Sequence, residues 1–235
     1  MTTIDGNLKN QTERMARACQ QAGRDVTAVT LLAVSKTFDA DAVAEAVEAG
    51  QRSFGENYIQ EGVDKILALR ASHPETVLQW HCIGPIQSNK TRLVAEHFDW
   101  VQSVDRLKIA QRLSEQRPTG LPPLQVCLQV NVDGGANKSG VTPEELPALA
   151  DAVALLPRLR LRGLMCIPEP TPDFESQRAL FLRGKLLFDA LQARHGPSVE
   201  TLSMGMSDDL EAAVAAGATL VRVGRGIFGA RPPKA

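Results

Sequence analysis

One pattern dominates this sequence: a short apolar segment, a polar turn, an amphipathic stretch, then a glycine or a second turn, repeated from Val29 onward. The apolar segments are VTLLAVSK from Val29, RSFGEN from Arg52, LQWHCIG from Leu78, DWVQSV from Asp99, PLQVCLQVNV from Pro123, RLRGLMCI from Arg160, ETLSMG from Glu200 and TLVRVG from Thr219. Short apolar runs bounded by turn residues read as strands, and the amphipathic stretches between them as helices. Each connection is long enough for the right-handed crossover that parallel strands require. Eight such strands predict an α/β fold of the closed (β/α)8 TIM-barrel type rather than an open doubly wound sheet. A chain of 235 residues can be served by one core, and no low-complexity linker divides it. A single domain is therefore expected over residues 1–235, with an extra N-terminal helix within 1–24 and the barrel over 29–231.

The first helix gathers Ile4, Leu8, Met15, Ala18, Cys19 and Ala22 near one face and stops at Gly23. Asp39, Asp105 and Ser207 read as N-caps, and Thr142 with Glu145 as a capping box carrying Pro143 in its first turn. The helices ending AVEAG and AVAAG stop at Gly50 and Gly217, both suited to a left-handed C-cap.

Composition narrows the function classes. Apolar residues at 43% and charged residues at 23% describe a soluble globular chain. A net charge of -1 supplies no basic field, which argues against nucleic acid and anionic membrane as partners. No segment has a signal-peptide core or enough apolar length to span a bilayer, so a cytoplasmic location is expected. Cys19, Cys82, Cys127 and Cys166 lie far apart without a CxxC pair, against a zinc knuckle or a redox dithiol, and no metal site is expected. Three of them sit in apolar runs and read as buried thiols.

In barrels of this kind the site is built at the C-terminal ends of the strands, with phosphate commonly held after strands seven and eight. The loops there are SMGMSDD, Ser203 to Asp209, and GRGIFGAR, Gly224 to Arg231. A serine hydroxyl, open glycine backbone and helix N-terminal amides can supply a phosphate's donors, although the same glycines also suit tight turns. Lys36 shares a side with Thr30, Leu32 and Val34 at the end of the first strand. An amine there is either partly desolvated and able to form a Schiff base or a rim lysine reaching into solvent. Arg222 shares a side with Leu220 and Gly224; facing inward, it needs an acceptor such as a heterocycle nitrogen or a barrel carboxylate. Glu56 and Asn57 end the second strand toward the same mouth. His81, Gln87, Ser88, Asn89 and Lys90 attend the third, where Ser88 or Asn89 can cap a helix and His81 reads as a satisfied internal histidine. Asn137, Lys138 and Ser139 lie in a glycine-rich turn after the fifth.

Read together, LLAVSKT, FGENYIQE, WHCIGPIQSNKTR, LQVNVDGGANKSG, LRGLMCIP and LSMGMSDDLEAAVAAGATLVRVGRGIFGAR resemble, from Leu31 to Arg231, the pyridoxal phosphate homeostasis protein family. That family is similar to the N-terminal barrel domain of alanine racemase. The resemblance implies that Lys36 holds pyridoxal 5'-phosphate as an aldimine. It further implies that Ser203, Met204, Gly224 and Arg225 bind the phosphate, the latter pair through backbone amides, that Arg222 faces the pyridine nitrogen, and that Asn57 lies near the ring. At Arg225 the sequence departs from the family, where threonine or serine is a familiar occupant.

The implied function is cofactor binding and vitamin B6 homeostasis, with passage of the cofactor to apoenzymes and indirect effects on amino-acid and keto-acid pools. A guanidinium beside the pyridine nitrogen makes the ring a weaker electron sink. Racemisation also needs a second acid or base, in alanine racemase a tyrosine from a partner subunit's additional domain. Here the barrel consumes the chain, and the one tyrosine is Tyr58 in FGENY. A monomeric carrier without catalytic residues is thus expected. The alternatives are a pyridoxal phosphate-dependent racemase and a barrel aldolase or isomerase whose Lys36 engages a sugar phosphate directly.

Overall fold

The computed structural model describes residues 3–135 and 139–230, so Asn137, Lys138 and Arg231 lie outside the described residues. Eight strands form a closed barrel in chain order, every neighbouring pair parallel: β1 (Thr30–Val34), β2 (Ser53–Glu56), β3 (Gln79–Cys82), β4 (Trp100–Val104), β5 (Leu124–Gln129), β6 (Leu159–Met165), β7 (Thr201–Ser203) and β8 (Leu220–Val223). Helices follow the strands: α2 (Ala40–Glu48), α3 (Ile59–Ser72), α4 (Thr91–His97), α5 (Leu107–Gln116), α6 (Leu146–Ala154), α7 (Phe174–His195), α8 (Leu210–Ala215) and α9 (Arg225–Phe228). The additional helix α1 (Ile4–Gln21) precedes them, capped by Thr3, whose hydroxyl accepts from the Gly6 N–H. Its buried face carries Leu8, Met15, Ala18 and Cys19. Each strand is shorter than its apolar segment, and β6 begins one residue ahead of it, at Leu159; after β1 and β2 the polar ends of the segments, Ser35 with Lys36 and Asn57, leave the ladder.

Local signals explain most helix boundaries. Asp39 caps α2 by accepting from the Ala42 N–H, and Thr142 and Glu145 close a reciprocal capping box one turn before α6. Gly50 and Gly217 adopt φ of 97° and 101°, and the residue after each donates back to an alanine carbonyl five positions earlier, ending α2 and α8. Three expected caps are not formed. Asp105 pairs with Arg106 and leaves the N-cap of α5 to that arginine, while neither Ser88 nor Asn89 caps α4. Ser207 does not cap α8 because Asp209 holds the N-cap position.

The main apolar core fills the layer between the outward strand faces and the helices, with Val43, Ile66, Leu113, Leu164 and Phe181 among its most buried members. Trp100, Cys127 and Met165 form a separate cluster. The barrel interior is in good part polar. β4 and β7 are not neighbours, yet Ser203 Oγ donates to Gln102 Oε1 at 2.6 Å, a bond that must cross the lumen. All four cysteines are buried and unbridged. Among the described residues no helix is long and apolar enough to cross a membrane, and no cluster of His, Cys, Asp or Glu could hold a metal.

Candidate functional site

A cavity of about 250 Å3 opens at the C-terminal ends of the strands. Its wall brings together Lys36, Asn57, Arg222, Gly224 and Arg225 with apolar Val34, Phe38, Ile83 and Ile167. Ser203 and Met204 are not on that wall. The Ser203 hydroxyl donates to Gln102 and accepts from Arg222 Nη1 at 2.6 Å, while Met204 is buried in the outer core with its N–H donated to the Leu220 carbonyl at 3.1 Å. The loop after β7 reaches the cavity instead through Met206, Ser207 and Asp208. Because β7 ends at Ser203, Ser207 stands in the loop beyond it, two residues before the N-cap position held by Asp209. Two serines in SMGMSDD were the available signal, and only the strand's end distinguishes them.

Lys36 lies two residues past β1, half-buried at the barrel mouth. The backbone turns there: the Phe38 N–H donates to the Ser35 carbonyl at 3.1 Å, and Thr37 sits at φ 71°. A β-branched residue in the left-handed region is strained and persists only where its surroundings hold it. Phe38 then stacks on Phe228 of α9, ring centroids 5.2 Å apart, so the turn carrying Lys36 touches the helix that begins at Arg225. Glu56, expected at the mouth, is fully buried: it accepts from the Ser35 hydroxyl at 2.6 Å and from Lys65 Nζ at 2.8 Å. Burial pushes its carboxyl up and Lys65 draws it back.

Arg222 is buried, with Nη1 on Ser203 Oγ and Nη2 on the Cys166 carbonyl at 3.0 Å. Among the described residues no carboxylate lies within ion-pair distance of it, and burial lowers its pKa. A polar chain continues from Ser203 through Gln102, whose Nε2 donates to His81 Nδ1 at 2.9 Å. His81 stacks on Trp100 with centroids 5.1 Å apart. The satisfied internal histidine expected from the sequence thus belongs to a chain that reaches Arg222, with its Nε2 on Gln79 Oε1 at 3.3 Å.

Asn57 owes its place to Gly84, where a Cβ would lie 2.2 Å from the Asn57 carbonyl oxygen. Its side-chain Oδ1 is buried without a hydrogen-bond partner among the described residues. Gly224 and Arg225, also on the wall, lead into α9, whose first N–H groups have no intrahelical acceptor. Helix α1 braces both loops: Asn7 Nδ2 donates to the Ile227 carbonyl at 2.9 Å, and Arg14 donates to the Ser207 carbonyl at 2.7 Å while pairing with Glu211. Asp208 adds an exposed carboxylate to the wall, so charge there is mixed. Gln87, Ser88, Asn89, Lys90 and Ser139 do not line the cavity.

A phosphorylated pyridine aldehyde needs a primary amine, a partner for the ring nitrogen, hydrogen-bonding groups near its ring and donors for a dianion. Lys36, a guanidinium held by neutral acceptors, the unpartnered Asn57 Oδ1 and the start of α9 with Ser207 and Arg225 meet those needs. The comparisons point the same way. The family model described as alanine racemase, N-terminal domain, matches residues 6–232. The chain is 61% identical to the pyridoxal phosphate homeostasis protein of Pseudomonas aeruginosa over 98% of this chain and 97% of that one. It is 54% identical to the protein so named in Escherichia coli K12, covering 98% of each. PipY of Synechococcus elongatus, solved with PLP bound, superposes with a TM-score of 0.77 at 37% identity, covering 92% of this chain and 100% of PipY. The chain belongs to the pyridoxal phosphate homeostasis proteins, a family built on the alanine racemase N-terminal barrel.

Proposed function

We propose that this protein binds pyridoxal 5'-phosphate covalently at Lys36 and maintains intracellular vitamin B6 by holding the cofactor rather than by catalysing a reaction on it. One observation carries the reading: a half-buried primary amine at a strand end shares a single cavity with an arginine whose hydrogen-bond partners among the described residues are neutral. When bound, the cofactor supplies an aldehyde that condenses with a primary amine with loss of water. Lys36 provides that amine. Arg222 directs donors toward the ring nitrogen and, being cationic, disfavours its protonation. Ser207 and the backbone N–H groups of Gly224 and Arg225 hold the phosphate at the start of α9. Asn57 contacts the ring. In this reading Ser203 positions Arg222, and Met204 shapes the loop from the core side.

The same wall argues for a carrier over a racemase. Its titratable members among the described residues are Lys36, Asp208, Arg222 and Arg225, and Asp208 is solvent-exposed. Tyr58 is 55% exposed and is not a wall residue. The protein is proposed to act in the cytoplasm as a monomer that passes the cofactor to pyridoxal phosphate-dependent apoenzymes. The test is the absorption spectrum of purified protein loaded with pyridoxal 5'-phosphate. A visible band bleached by borohydride and absent in Lys36→Ala is expected, and a wild type that remains colourless would refute the proposal. Proton exchange at the α-carbon of amino acids in deuterated water, expected to match free cofactor, would favour the racemase if it ran far faster.

A further inference from the structure

We propose that Glu61 and Lys65 of α3, acting with Glu56 of β2, are positioning residues that hold Lys36 on the cavity wall. The inference rests on the reading of Lys36 as the cofactor lysine. Every polar bond this trio makes to the turn falls on the residues on either side of Lys36. Lys65 Nζ donates to the Ser35 carbonyl at 2.8 Å, and Glu56 accepts from the Ser35 hydroxyl at 2.6 Å. On the other side Glu61 Oε1 accepts from the Thr37 N–H at 2.6 Å. Lys65 joins the two carboxylates, 2.8 Å from Glu56 and 2.6 Å from Glu61.

The clamp has a task that packing alone would not give it. Thr37 is the described non-glycine residue at positive φ, and the carboxylate on its N–H holds it there. A relaxed Thr37 would rotate the peptide after Lys36 and redirect the side chain away from the wall. Helix α3 approaches closely enough because residue 62 is glycine: a Cβ there would lie 2.8 Å from the Phe98 ring and 3.1 Å from Glu56 Cβ. A buried lysine between two carboxylates is a poor choice for stability alone, since well-packed apolar residues often serve as well or better. Its geometry is accounted for by what it holds.

The experiment separates placement of the amine from integrity of the cavity. Pyridoxal 5'-phosphate, which condenses with an amine to form an imine and water, and pyridoxine 5'-phosphate, an alcohol that cannot, are offered to wild type, Glu61→Ala and Glu61→Gln. In Glu61→Ala the rate of borohydride-reducible capture should fall about ten-fold or more, because small misplacements of a reacting group are costly, while the dissociation constant of the alcohol stays within about two-fold. Glu61→Gln, whose amide oxygen can still accept from the Thr37 N–H, should recover capture to within about three-fold of wild type. If the alanine variant does not fold, Glu61→Asp, which withdraws the carboxylate by one methylene, should slow capture by at least about three-fold. Unchanged capture, or equal loss of capture and of alcohol binding, overturns the clamp. A wild type that binds the alcohol but never captures the aldehyde refutes the reading of Lys36 instead.

Discussion

Acidification should destabilise this protein through His81, by an amount that follows from the ring's surroundings. His81 is 1% exposed, stacked on Trp100, and its Nδ1 accepts from Gln102. Burial drives its pKa from 6.5 down to about 3. Below pH 6.5 the unfolded chain therefore binds a proton that the folded chain does not. The stability this histidine contributes is complete above pH 6.5 and declines as the pH falls toward about 3. At about 1.4 kcal/mol per pH unit inside that window, the loss is about 2 kcal/mol between pH 7 and pH 5 and approaches about 5 kcal/mol near pH 3.

Urea denaturation at pH 7, 6 and 5, run on wild type and His81→Asn, isolates this contribution. The asparagine oxygen can accept from Gln102 in place of Nδ1 but does not titrate, so acid-sensitive carboxylate pairs such as Arg14–Glu211 are common to both proteins. Wild type should lose about 2 kcal/mol more than the variant from pH 7 to pH 5. Equal slopes would refute the argument, as would an imidazole NMR signal showing protonation near pH 6. The outcome bears on the site as well, because a proton on Nδ1 removes the acceptor for Gln102 in the chain that runs through Ser203 to Arg222.

Two further substitutions probe the supports of the cavity. Gly84→Ala sets a methyl 2.2 Å from the Asn57 carbonyl oxygen. The forced shift should cost about 1–3 kcal/mol in denaturant melts and weaken cofactor binding; unchanged affinity would show that the placement of Asn57 is immaterial. Arg14→Ala removes the bond to the Ser207 carbonyl and the partly exposed pair with Glu211. Stability should fall by about 1 kcal/mol or less. Affinity for pyridoxal 5'-phosphate should fall about five-fold, with no change for unphosphorylated pyridoxal by calorimetry, and equal losses for both would remove α1 from the phosphate site.

What the sequence disclosed and what it hid divide along the range of the interactions. Alternating apolar segments and helix stops such as Gly50 and Gly217 are local, and they led to the barrel and to its strands within a few residues. Period two placed Lys36 at the end of β1 and Arg222 inside β8, because the side a strand residue faces depends only on its neighbours. Ser203 shows where this reasoning stops. Its hydroxyl and that of Ser207 are equivalent in sequence, but Ser203 is drawn into the lumen by Gln102, 101 positions away, and no periodicity encodes a pairing across a barrel.

Glu56 shows the same limit from the other direction. Its position at the end of a strand suggested an open mouth, yet burial is tolerable because Lys65 arrives from the next helix with the charge it needs. That helix can arrive only because Gly62 leaves room for it, so one missing side chain decides whether Glu56 is a solvated rim group or part of a buried clamp. Ser207 apart, the groups on the cavity wall were therefore easier to read than the groups that aim them. A lysine, an inward arginine and a glycine-led helix announce their chemistry by type and place, whereas Lys65, Glu61, Gln102 and Arg14 are ordinary surface-like residues in sequence. Their role exists only in the bonds they make to Ser35, Thr37, Ser203 and Ser207. Substitutions among them should therefore change how the site is aimed before they change whether the barrel folds.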